Sequence, residues 1–121
     1  MKTKTITVLN MDGVADADGD IFDCDTECVF RRWVPVPVCV GDGKSVNDVV
    51  GYANLTREPG RLCAVIEPLD GFEDLIPHLY PTVRGSIIER SGDKVTKVII
   101  YEIVLSSDRN IDRRIDRVGL Q

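Results

Sequence analysis

Histidine is almost absent from this chain: among 121 residues there is one, His78. That excludes any site built on a pair of histidines, whether a two-histidine catalytic group or a cysteine pair completed by histidines around zinc. Aromatic residues are also scarce, at 6% against 43% apolar residues in all, so aliphatic side chains must fill the core. No run approaches the roughly 20 apolar residues that span a bilayer. The charged start, Met1-Lys2-Thr3-Lys4-Thr5, is followed by no apolar signal core, and the expected place of synthesis is the cytoplasm, with no membrane partner. Basic charge is in deficit, with 15 Lys and Arg against 20 Asp and Glu, a net charge of −5. Nucleic-acid binding is therefore not expected, because it usually rests on a basic surface. There is no phosphate-cradling glycine loop and no nucleotide motif, so no cofactor is expected.

Four cysteines are present, Cys24, Cys28, Cys39 and Cys63. Only the first two are close, so the spacing does not make a zinc site. Cys39 and Cys63 lie in apolar runs and read as buried free thiols. Disulfides after release into an oxidising medium remain open.

The length points to one domain over residues 1–121. Residues 5–10 alternate and read as a strand, and residues 12–25, acidic and glycine-containing, as a loop with turns. Residues 28–33 read as a short helical turn. Residues 34–40, Val-Pro-Val-Pro-Val-Cys-Val, alternate strictly, but two prolines place them at a sheet edge or beside a break. Residues 49–56 and 61–67 form a hairpin across Arg57-Glu58-Pro59-Gly60. Phe72, Leu75, Ile76 and Leu79 have the spacing of an amphipathic helix that contains Pro77. Residues 83–89 and 94–105 are strands joined by Ser91-Gly92-Asp93. In the tail, Ile111, Ile115 and Val118 are spaced for one helical face. The expected fold is mainly β (α+β): a small closed or partly open barrel of about six or seven strands with one or two short helices.

Five short segments carry a family resemblance. Upstream are Asn10-Met11-Asp12 and Asp18-Gly19-Asp20-Ile21-Phe22, followed by Val36-Pro37-Val38-Cys39-Val40. Ser86 stands in Arg84-Gly85-Ser86-Ile87-Ile88, and Glu102-Ile103-Val104-Leu105-Ser106 comes next. In this order the chain resembles the prohead (capsid-maturation) serine proteases of tailed phages over about residues 8–110. The resemblance implies a nucleophile at Ser86 and a catalytic histidine after the Val-Pro-Val strand. Gly41 and Asp42 stand there instead. Glycine has no side chain, and a carboxylate of pKa about 4 is too weak a base for a serine proton. What the resemblance then implies is a protease-like fold without catalysis. The expected role is a virion structural protein, a capsid decoration or cement protein, with the major capsid protein and further copies of itself as partners. The alternative is an active protease cleaving scaffold or capsid protein, with Ser86 as nucleophile, His78 as relocated base and Glu102 orienting it.

Other constellations carry weaker chemistry. Asp16, Asp18 and Asp20 around Gly19 match part of a calcium loop, but Val14 and Asp25 occupy its first and twelfth positions, where Asp and a bidentate Glu belong. A solvated acidic turn is the alternative. Trp33 with Arg31 and Arg32 is a candidate contact patch, since Trp and Arg are favoured interface anchors; a core position for Trp33 is the alternative. In the tail, Arg113 and Arg114 alternate with aspartates and suit either an exposed ion-paired helix or a docking segment.

Overall fold

The computed structural model describes residues 4–31, 34–40, 48–107 and 115–117. Eight strands run through them: β1 (Lys4–Asn10), β2 (Glu27–Val29), β3 (Val36–Val40), β4 (Val49–Glu58), β5 (Arg61–Pro68), β6 (Tyr80–Ser91), β7 (Lys94–Ser106) and β8 (Ile115–Arg117). Seven of them follow one another across a mixed sheet in the order β1-β5-β4-β3-β7-β6-β8, and β2 pairs separately with β7. The protein is mainly β, as its β-branched runs require.

The two long hairpins form where alternation meets a turn signal. β4 and β5 are antiparallel from Gly51↔Pro68 to Glu58↔Arg61, closed by Pro59-Gly60 with Gly60 at φ 78°. β6 and β7 are antiparallel and turn at Gly92, φ 63°. A left-handed backbone at these turns suits glycine, which has no Cβ to clash.

The sheet is not a closed barrel. Among the described residues no ladder joins β1 to β6 or β8. It curls nonetheless, bringing β1 within 8 Å of β6 between Cα atoms. The inner face carries an aliphatic core in which Leu9, Leu62, Val38, Val83, Val95, Val98 and Ile103 are all but sealed from solvent. Phe22 is the one aromatic side chain fully buried among the described residues, and it pins the acidic loop to this core.

Several expected elements take another form. The turn expected from residue 28 onward is a strand in its first part: β2 runs parallel to β7, Glu27↔Lys97 to Val29↔Ile99. The Thr26 hydroxyl fixes that approach by donating to the Val95 carbonyl at 2.7 Å. β3 is not an edge strand; it lies between β4 (antiparallel) and β7 (parallel). Its prolines are accommodated because Pro35 precedes the strand and Pro37 precedes the β7 ladder, which starts at Val38. The expected helix over 71–79 is reduced to one 3-10 turn, Ile76–His78, after bends at Leu69 and Phe72. Pro77 sits in its first turn, where a missing N–H is tolerated, and Leu79 is already extended at φ −112°, ψ 156°. Phe72, Ile76 and Leu79 still pack on the core, while Leu75 is exposed. Residues 115–117, expected on a tail helix, form a strand parallel to β6, Val83↔Ile115 to Gly85↔Arg117. An open strand edge offers backbone partners that a local helical pattern does not. Ile111 and Val118 lie outside the described residues.

Candidate functional site

β3, β7 and β6 lie side by side, and their registers bring Cys39, Glu102 and Arg84 together. Val38 and Ile103 point into the core, so alternation sends Cys39 and Val104 to the opposite face. Cys39, Val104 and Thr82 are buried there as well. Within this patch Arg84 Nη1 donates to Glu102 Oε1, both side chains largely shielded from water. The Cys39 thiol donates to Glu102 Oε2 at 3.5 Å.

This arrangement suppresses thiol chemistry. Burial, then the Glu102 charge and its hydrogen bond, push the Cys39 thiol up to about 11, with Arg84 opposing. The thiolate is the nucleophilic form, so Cys39 is inert at neutral pH. Cys28 is likewise pushed up to about 11, first by burial, against the pull of Arg57. All four thiols are free; Cys24 is exposed and Cys63 buried.

Ser86 lies on the same strand as Arg84, half-buried and opposite Ile99 of β7. Gly85 between them sits where the ladder bulges, and a Cβ there would lie 2.0 Å from the Ile99 carbonyl oxygen. His78 ends the 3-10 turn before β6, exposed. From Tyr80 to Ser86 the strand advances six residues, about 20 Å at ~3.3 Å per residue. Glu102 is in register with Arg84, two residues before Ser86 on β6, and its carboxylate is held by Arg84 and Cys39. Gly41 and Asp42 lie outside the described residues.

The acidic loop is a small hairpin. Asp16 Oδ1 accepts the N–H groups of Asp18 and Asp20, each at 3.0 Å, and the Ala15↔Ile21 bridge closes the turn around Gly19. Carboxylate oxygens of Asp16, Asp18 and Asp20 lie within 4.8 Å of one another. Asp20 is buried and paired with Arg90 at 2.6 Å. The Asp16 carboxylate thus serves the turn, and that of Asp20 an ion pair that ties the loop to β6. Ile21 and Lys94 continue the attachment, through a backbone bridge and a 3.1 Å pair of Lys94 with Asp23.

Arg31 is exposed beside a groove of about 490 Å³ where β2 leaves β7 and β3 joins it, with Phe30, Val34, Pro35 and Tyr101 in its walls. The other proposed contact residues, Arg32, Trp33, Arg113 and Arg114, lie outside the described residues.

The Arg84–Glu102–Cys39 cluster was missed in the sequence, although a signal was there. An arginine inside the apolar strand 83–88 needs a carboxylate, and Glu102 is an acidic residue of the strand that pairs with it. Cys39 gave no such signal, because its contact depends on a parallel β3–β7 pairing between segments far apart in the chain. No protein-family model, curated protein or solved structure matches this chain.

Proposed function

We propose that this chain is a non-enzymatic structural protein of a phage virion, a decoration or cement protein whose fold derives from the prohead proteases. The observation that carries this reading is the placement of the single histidine, exposed at the end of the turn that precedes β6. Ser86 stands well inside that strand, opposite Ile99 of β7. The Glu102 carboxylate is engaged by Arg84 and Cys39. Exposed Tyr52, Tyr101 and Val34 support a contact role, since Tyr is enriched where proteins meet. The partners in this reading are the major capsid protein and further copies of the chain. Weak single contacts gain strength when repeated over a symmetric shell.

A quantitative protein inventory of purified mature particles tests it. The expected result is the intact chain in many copies per shell, with Ser86→Ala particles identical in composition. Absence from mature particles, with scaffold or capsid cleavage in immature ones that stops in Ser86→Ala, overturns it.

A further inference from the structure

A second cavity, of about 300 Å³, opens at the seam where the curled sheet brings β1 and β5 close to β6 and β7. Its floor is aliphatic: Ile6, Ile66 and Leu105 from the strands. Its roof is the 3-10 turn with Ile76 and Leu79, which also pack on the core. The size lies at the low end of small-molecule sites, typically ~300–1,000 Å³.

The polar lining is sparse and of one sign. Pro68, Pro77 and Pro81 line the cavity and supply no backbone N–H. Thr7 accepts a hydrogen bond from Arg61 at 3.1 Å. The one ionisable side chain in the described lining is Glu73, held by the Gly71 N–H donating to its Oε2 at 3.1 Å. Among the described lining residues no side chain is cationic, and the three prolines offer no N–H to an anionic head group. An apolar tail with a cationic head meets all of these features at once.

We propose that this cavity binds an unbranched aliphatic monoamine of about six carbons, its tail on the isoleucine and leucine floor and its ammonium donating to the Glu73 carboxylate. Glu73 is exposed, and an ion pair at such a position changes affinity about two- to fivefold. The proposal is independent of the virion role and stands or falls separately.

The test is an NMR titration of the methyl-labelled full chain with hexylamine, hexan-1-ol, hexanoate and hexane-1,6-diamine at neutral pH. Hexylamine is expected to shift the Ile6, Ile76 and Leu105 methyls and to bind about two- to fivefold more tightly than hexan-1-ol. Hexanoate is expected to bind most weakly, by charge repulsion, and the diamine below hexylamine, because its second ammonium would sit on apolar wall. Glu73→Gln is expected to level the amine with the alcohol at an unchanged melting temperature, while Glu73→Asp keeps the preference for amine. Equal binding of hexylamine and hexanoate, undiminished amine affinity in Glu73→Gln, shifts confined to other parts of the molecule, or no shifts at all would each overturn it.

Discussion

Substituting Gly85 by alanine tests the packing of the strand that carries Arg84 and Ser86. A Cβ at this position would stand 2.0 Å from the Ile99 carbonyl oxygen and 3.0 Å from the carbonyl carbon, both rigid backbone atoms. Ordinary van der Waals contact begins near 3.4 Å. The two strands must therefore separate by roughly 1 Å or more, and the bulged ladder between Gly85 and Ile100 must loosen. Overpacking of a dense core commonly costs about 1–3 kcal/mol, and here lost ladder hydrogen bonds add to it, so about 3 kcal/mol or more is expected. Gly60→Ala is the control. Nothing lies within 4 Å of its added Cβ, and the cost comes only from its φ of +78°, about 1–2 kcal/mol. Urea unfolding at constant m gives both values from the midpoints. A Gly85→Ala cost no larger than that of Gly60→Ala would refute the close approach of β6 to β7 at the bulge. Amide shifts at Ile99 and Ile100 would then be expected to remain at their wild-type values as well.

The Arg84–Glu102 pair offers a second perturbation. Arg84→Ala leaves a shielded carboxylate without this partner and is expected to cost about 3 kcal/mol, whereas replacing both residues by methionine returns most of that loss. Chemical denaturation of the single and double variants decides it, and a nearly neutral Arg84→Ala would contradict the role given to the pair. Phe22→Ala empties the anchor of the acidic loop and should cost about 3–5 kcal/mol, with the amides of residues 12–23 losing exchange protection. The thiols set an alkaline limit. Cys28 and Cys39 are raised from 9.0 to about 11 in the folded state, so their contribution is complete below pH 9 and lost as pH climbs towards 11. Stability measured against pH should fall across that window, and less so in a Cys28→Ala variant. Alkylation of the native protein at mildly basic pH should mark Cys24 first and leave Cys39 unmodified; early labelling of Cys39 would contradict its burial. At the acid end, hydrogen bonding and charge from Arg61 hold the Glu58 carboxyl below its ordinary range. Its stabilising effect is present above the unfolded pKa and fades as pH falls through the lowered value, a titration that NMR follows directly and that Arg61→Ala should bring back up.

Much of this protein was legible from local pattern. The alternation of residues 49–56, 61–67, 83–89 and 94–105 and the turns at Gly60 and Gly92 announced both long hairpins, because each depends on neighbours close in the chain. The scarcity of aromatics announced an aliphatic core, and the apolar settings of Cys39 and Cys63 announced their burial. Elements that depended on distant partners were hidden. Two prolines argued for an edge or a neighbouring break; β3 is central, its β7 ladder begins only after Pro37, and its register with β4 shifts between Val38 and Cys39. The spacing of Ile111, Ile115 and Val118 argued for a helix, yet residues 115–117 extend along an edge of β6. The same division runs through the candidate site. Composition alone limited the chain to one histidine and determined that Ser86 has one possible imidazole partner. Only the tertiary structure decided where that imidazole stands, exposed on the turn before β6 begins, and that Glu102 faces Arg84 and Cys39, because parallel pairing of β3 with β7 joins segments that share no local signal.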